Sequence, residues 1–307
     1  MIIVQIYEIQ TPQEAEKCIE LGVDHLGSVI LSRDEWRLPL LREAVGLTEK
    51  TPHKSSMIPL FRDPDTVYRV LDYYRPDYIH FCDALTDENG GIKGLEKLIE
   101  FQTAVKRKFP EIGIIRSIPI PQKGISPDFP SLEMAEAFEH TSDIFLTDTW
   151  REDAPVEGFI GITGEPVDRE TAQALVLQST IPVILAGGLS PENVQDALTS
   201  VKAAGADSCT LTNRVDPSGS SIRFEKDFGR VSDFVKAVRE VATLLREEKE
   251  EKSAHLVSLR EALSDREKAL PAHSIRPHQM LTIEALEDEI EALENELSGY
   301  RMAFDDI

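Results

Sequence analysis

Eight short β-rich apolar runs, each followed by a helical pattern, fill the first 245 residues of this 307-residue chain, and that alternation predicts a (β/α)8 barrel. Two further observations support it. The span is close to the ~250 residues that such a barrel needs. A doubly wound open sheet also alternates β and α, but no G-x-G-x-x-G follows the first run, which counts against its dinucleotide-binding form. The strand candidates are IIVQI (2–6), HLGSVI (25–30), SSMIPL (55–60), DYIHFC (77–82), IGIIRSI (112–118), DIFLTD (143–148), IPVILA (181–186) and DSCTLT (207–212).

The helical segments between them carry start and stop signals. TPQEAEKCIELG (11–22) has Thr11 as N-cap, Pro12 at the first helical position and Gly22 as stop. DPDTVYRVLDYY (63–74) repeats that opening with Asp63 and Pro64. SPENVQDALTSVKAAG (190–205) repeats it with Ser190 and Pro191, and Gly205 marks its end. The eighth helix does not stop. Its pattern runs from Val231 through Val238 and Leu245, then on through Leu256, Leu259 and Leu263. The prolines of PAHSIRPHQ (271–279) predict a turn, after which Ile283, Leu286, Ile290, Leu293 and Leu297 follow in steps of 3 and 4, a heptad seam. The expected organisation is therefore a barrel over 1–245 and an acidic helical extension over 246–307. The extension is either a hairpin or coiled coil for self-association or docking on a helical partner, or a hairpin folded back on its own barrel.

Composition narrows the function classes. With 33 Lys+Arg against 55 Asp+Glu the net charge is −22, which argues against nucleic-acid or anionic-membrane binding. No apolar run approaches the ~20 residues needed to span a bilayer. The start, MIIVQIYEIQ, has no basic region or small-residue cleavage site, so no signal peptide is expected. Cys18, Cys82 and Cys209 are scattered and odd in number, which points to a reducing, cytoplasmic compartment. No Cys/His cluster has zinc spacing, and no P-loop is present, so neither a metal nor an organic cofactor is expected.

The sharpest chemical signal is IPVILAGGLSPENV (181–194), a buried strand ending in Gly187-Gly188 before a capped helix. Two glycines let backbone approach a ligand, and a helix start favours anions. In a barrel this is the seventh βα loop, where phosphate sites form with the eighth. With the following GADSCT, this stretch resembles the phosphoribosylanthranilate isomerase family, the (β/α)8 enzymes of tryptophan biosynthesis. The resemblance spans about residues 2–240 and leaves the tail outside.

The resemblance implies an Amadori-type aldose–ketose isomerisation of a phosphoribosyl amine. The family's general acid, an aspartate ending the sixth strand, matches Asp148 in FLTDT. Its glycine-rich loop matches Gly161-Ile162-Thr163-Gly164, with Asp168 beyond. A family arginine after the second strand matches Arg37, with Arg33 as the alternative, and a lysine on the fifth matches Arg116. Thr163, Gly164, Gly187, Gly188 and Thr210 are the expected phosphate-binding residues.

The chain also departs from the family. Its general base is a cysteine in Lys-Ile-Cys-Gly-Ile, where this chain has Gln5-Ile6-Tyr7-Glu8-Ile9. A tyrosine near ~10 is a poorer base at neutral pH than a cysteine near ~8.5, so Tyr7 serves only if a cation lowers its pKa. Otherwise it is a hydrogen-bond donor or a wall. Glu8 is the alternative base if it reaches the site, but strand alternation points neighbouring residues to opposite faces. Cys82 replaces a family histidine, Asp83 a glycine, and Leu211 the glycine of Ser-Ser-Gly. Cys82 and Cys209 read as small buried hydrophobes, and His80 as structural. Three functions follow: an isomerase of the family's type with Asp148 as acid and Tyr7 as altered base, a related phosphosugar enzyme, or a non-catalytic phosphoribosyl-ligand sensor or scaffold acting through its tail.

Overall fold

The computed structural model describes residues 2–87, 90–153, 155–270 and 277–300. Eight parallel strands close into a barrel in sequence order. They are β1 (Ile3–Ile6), β2 (His25–Ile30), β3 (Lys54–Pro59), β4 (Tyr78–Phe81), β5 (Gly113–Ile120), β6 (Ile144–Thr149), β7 (Val183–Leu185) and β8 (Gly205–Ser208). The ring closes where β1 pairs with β8, from Ile3 opposite Gly205 to Ile6 opposite Ser208. Around it lie α1 (Pro12–Leu21), α2 (Pro39–Gly46), α3 (Pro64–Tyr74), α4 (Leu95–Lys108), α5 (Ser131–Phe138), α6 (Arg169–Gln178), α7 (Val194–Val201) and α8 (Phe228–Lys268).

The strand period of two divides the core into two layers. Tyr7, Val29, Ile115, Leu146 and Ile184 fill the barrel interior. Their neighbours in sequence, among them Ile6, Phe145 and Leu185, face outward onto Phe138 of α5 and Phe234 of α8. The caps read from the sequence hold at α1 and α3. Thr11 and Glu14 form a reciprocal capping box, Gly22 ends α1 at φ 87°, and Asp63 caps Thr66.

Two boundaries differ from expectation. Helix α7 begins at Val194 rather than after Ser190. Asn193 spends its side chain on the preceding turn, taking the Ser190 N–H (2.9 Å) and donating to the Gly188 carbonyl (2.8 Å). Gly205 is not a helix stop but the first residue of β8, where a Cβ would stand 2.9 Å from that of Ile3. The eighth strand accordingly starts before DSCTLT, and Thr210–Thr212 is a 3-10 turn. A two-stranded antiparallel hairpin then precedes α8: β9 (Asn213–Val215) and β10 (Ser221–Lys226).

Helix α8 runs unbroken for 41 residues. Arg239 on it binds the Ile2 and Gly22 carbonyls and Asp24, at the face where the strands begin. Past Leu245 it therefore leaves the barrel on the side opposite the strand C-termini, and its last 23 residues reach about 35 Å. Helix α9 (Pro277–Ser298) packs back along it, antiparallel, with Ile283 and Leu293 buried against the Leu259 face. Ion pairs Arg260–Glu294 (2.6 Å) and Lys252–Glu296 (2.9 Å) cross the pair. Tyr300 ends fully buried, with the Lys202 ammonium 4.8 Å from its ring. The heptad seam is thus turned toward the chain's own α8. Of the turn expected over 271–279, residues 271–276 lie outside the described ones, and Pro277 already begins α9. No described helix is long and apolar enough to cross a membrane.

Candidate active site

The C-terminal ends of the strands surround a pocket whose wall includes Tyr7, Asp148, Thr163, Gly164, Gly187, Gly188 and Thr210. Seven of the nine site residues expected from the sequence are therefore brought together. Arg116 and Arg37 are not. The inward positions of β5 are Ile115 and Ser117, so Arg116 faces the opposite layer. There it stacks on Phe138 at 4.5 Å and pairs with Asp83 at 3.1 Å. Arg37 sits on the exposed segment before α2, 4.7 Å over the Tyr73 ring. The alternative Arg33 lies 3.8 Å from Asp63. Asp168 caps α6 through the Thr171 N–H and hydroxyl (3.1 and 2.7 Å).

Asp148 projects from the end of β6 and is half-buried. Gly161 (φ 92°) passes so close that a Cβ there would run into its carboxylate, so the glycine leaves room for that side chain. Burial pushes the Asp148 carboxyl up to about 7, against the single backbone bond from Thr149 N–H. That is the range in which a carboxyl holds a proton at neutral pH and can release it. The loop after β6 is pinned across the pocket. Ile160 N–H donates to the Cys82 carbonyl (2.9 Å), and Thr149 Oγ1 donates to the Glu165 carbonyl (2.6 Å). Gly187 and Gly188 (φ 96° and 58°) face this loop, and a Cβ on Gly188 would lie 2.8 Å from the Gly164 carbonyl. Three βα loops, the sixth, seventh and eighth, thereby meet at one end of the pocket with bare backbone and the Thr210 side chain.

Tyr7 is not placed as a base. Its hydroxyl accepts from Ser56 Oγ (2.9 Å) and donates to His80 Nδ1 (2.6 Å), while His80 Nε2–H donates to Ser117 Oγ (2.7 Å). Burial raises the Tyr7 phenol well above its ordinary value, the Ser56 bond offsets this in part, and the Asp207 carboxylate raises it further. No cation among its neighbours lowers it, so the expected catalytic base is corrected to a neutral hydrogen-bonding wall. Its ring lies over Gly27, where a Cβ would come within 2.4 Å of Tyr7 Cε1. His80, expected to be structural, does hold Tyr7 and also lines the pocket floor. Burial, then Arg116, lowers its imidazole to about 3, so it is neutral.

Glu8 also reaches the pocket, contrary to simple alternation. The strand has ended at Ile6, and Glu8 takes φ 65°, a left-handed conformation that suits the glycine of the resembled motif. Its carboxylate is held by Arg223 Nε (2.7 Å), Asn213 Nδ2 (2.8 Å) and the Phe224 N–H (3.1 Å). Burial alone would raise it, but these three bonds outweigh burial and keep it below the usual range. Burial raises the Cys82 and Cys209 thiols, so neither is a thiolate at neutral pH.

Two charged pocket residues went unrecognised in the sequence. Asp207 sits inside β8, buried and facing inward, with Gln5 Nε2 donating to it at 3.1 Å. Burial pushes it to about 7; the Gln5 bond opposes this and Asp148 adds to it. Its place two residues before Cys209 on an alternating strand was the available signal. Arg223 comes from β10 and carried no local signal at all.

These features define a (β/α)8 barrel whose strand C-termini gather a glycine turn and a carboxyl with a raised pKa around one pocket. Comparison with known proteins agrees. Residues 100–210 match the family model for N-(5'-phosphoribosyl)anthranilate isomerase. The N-(5'-phosphoribosyl)anthranilate isomerase of Methanothrix thermoacetophila is 28% identical over 239 residues, covering 77% of this chain and 97% of that one. That of Methanocella arvoryzae is 26% identical over 77% of this chain and 97% of its own length. The isomerase structure from Pyrococcus furiosus superposes with TM-score 0.55 at 19% identity, covering 78% of this chain and all of that one, which establishes the shared fold. A further isomerase structure, at TM-score 0.55 and 16% identity over 78% of this chain and all of that one, holds reduced 1-(o-carboxyphenylamino)-1-deoxyribulose 5-phosphate. Along its barrel the chain is similar to the phosphoribosylanthranilate isomerases, and it carries a helical C-terminal extension beyond the matched region.

Proposed function

We propose that the barrel binds a phosphorylated sugar amine and isomerises it from aldose to ketose, with Asp148 as general acid. The observation that carries this reading is the Asp148 carboxyl, raised to about 7 beneath a glycine cleared for it and facing the Gly187-Gly188 turn. The phosphate rests on the backbone of Gly164, Gly187 and Gly188 and on the Thr163 and Thr210 hydroxyls. The named relatives act on such a ligand. The test is turnover of phosphoribosylanthranilate, followed by its fluorescence, beside Asp148→Asn. Loss of a general acid typically removes ~10²–10⁴ in rate. Binding of the ligand without turnover would favour the sensor reading instead.

The extension is, in this proposal, an association arm. Its seam is spent within the hairpin, but Val257, Met280 and Leu281 remain exposed on it. Self-association through this face predicts an oligomer in the full chain that Val257→Glu with Leu281→Glu reduces to a monomer, read by light scattering. A monomer before substitution removes the proposal.

A further inference from the structure

A proton-transfer isomerase needs a base as well as an acid, and the pocket allows an assignment by elimination. The Tyr7 hydroxyl and both His80 nitrogens are engaged with Ser56, Ser117 and each other. Glu8 is taken up by Arg223, Asn213 and the Phe224 N–H. Asp207 has one side-chain partner, Gln5, on one carboxylate oxygen. Register places it well. Leu146 lies opposite Ile184, and Ile184 opposite Gly205. Carried two residues further, that register sets Asp148 of β6, Ala186 just past the end of β7, and Asp207 of β8 side by side. At about 4.8 Å per strand their outer Cα atoms are about 10 Å apart, and the alanine between them leaves the gap open.

We propose that Asp207 is the catalytic base, removing the C2 proton of the sugar while Asp148 serves the ring oxygen; this rests on the isomerase reading above. The neutral Asp148 carboxyl gives its proton to the ring oxygen as the C1–O bond breaks and the nitrogen lone pair forms C1=N. The Asp207 carboxylate then takes the proton from C2. The C2–H pair becomes the C1=C2 bond and the C1=N pair returns to nitrogen, giving an enolamine. The enolamine tautomerises to the ketose, C1 gaining a proton as the C2 hydroxyl loses one. Asp148 ends ionised and Asp207 protonated, and exchange with solvent restores both. The pair works because one member is protonated when the other is not, a state that two carboxyls in one pocket favour.

The test uses the full chain, phosphoribosylanthranilate as substrate, and reduced 1-(o-carboxyphenylamino)-1-deoxyribulose 5-phosphate as a binding probe. Asp207→Asn is expected to lower turnover by about 10²-fold or more while probe affinity stays within about threefold. Turnover within about tenfold of the parent overturns the assignment and leaves the isomerase reading intact. Probe binding lost together with turnover also overturns it, because Asp207 then serves binding or folding. An inactive parent chain removes the isomerase reading itself, and the base with it. If the amide variant does not fold, Asp207→Glu is expected to stay more active than Asp207→Ser, since it keeps a carboxylate. Equal activity in the two overturns the proposal.

Discussion

Tyr7 holds together the floor of the pocket through a line of hydroxyl and imidazole groups from Ser56 to Ser117. Tyr7→Phe leaves Ser56 Oγ and His80 Nδ1 without their Tyr7 partner, so a loss of about 1–3 kcal/mol in unfolding free energy is expected, read from urea midpoints. Turnover should remain within about tenfold. A loss as large as that of Asp148→Asn would show that the phenol takes part in the chemistry. The two raised aspartates act on stability in the opposite sense. Each has its pKa lifted from 3.8 to about 7 on folding. A raised carboxyl contributes stability below about pH 4 that is lost as pH rises through about 7. Asp207→Asn should therefore stabilise the fold at pH 8, by at most about 4 kcal/mol for a three-unit shift, and leave it unchanged at pH 4. Equal melting temperatures at pH 8 would show that the carboxyl is solvated. Asp148 was legible through its place at a strand end in a recognisable motif. Arg116 was misread because its charge matched the motif, whereas strand parity turns it outward. Asp207 lay inside a run read as plain strand, where its alternation with Cys209 was the one signal, and its register against Asp148 shows what it faces.

The elements around the pocket owe their precision to loops whose side chains bind backbone. Asn193 fixes the turn after β7 at two points, Ser190 N–H and Gly188 carbonyl. Asn193→Ala should leave α7 in place and weaken reduced 1-(o-carboxyphenylamino)-1-deoxyribulose 5-phosphate binding by about tenfold, the equivalent of roughly 1.4 kcal/mol. Unchanged binding in calorimetry would remove the glycine turn from the phosphate site. The β9–β10 hairpin plays the same part for Glu8, through Asn213, Arg223 and Phe224. The eight barrel strands could be read from hydrophobic period and the helices from their caps, because both signals are local. The hairpin could not. Asn213–Val215 is three residues long, and Ser221–Lys226 alternates with charges, so neither carries an apolar run. The start of α7 was missed for a related reason: Ser190-Pro191 imitates a cap, and only the tertiary bonds of Asn193 delay the helix.

The whole molecule separates its two ends. The pocket opens at the strand C-termini, and the α8–α9 hairpin leaves from the opposite face, anchored where Tyr300 is buried beside Lys202 and Lys252. Tyr300→Ala should release the base of α9 while the barrel keeps its melting temperature. Hydrogen exchange is expected to accelerate over 277–300 and to stay slow over β1–β8; acceleration across the barrel would mean that the hairpin is part of its stability. At this scale the proposed isomerisation requires one ring of strand ends to carry a protonated and an ionised carboxyl at neutral pH. The most direct measurement is kcat/KM for phosphoribosylanthranilate across pH 5–10. A pair of carboxyls that both titrate near 7 gives a maximum near neutrality with a fall on either side. A rate that instead climbs through pH 9 would point to a thiol or phenol base and contradict the carboxyl pair.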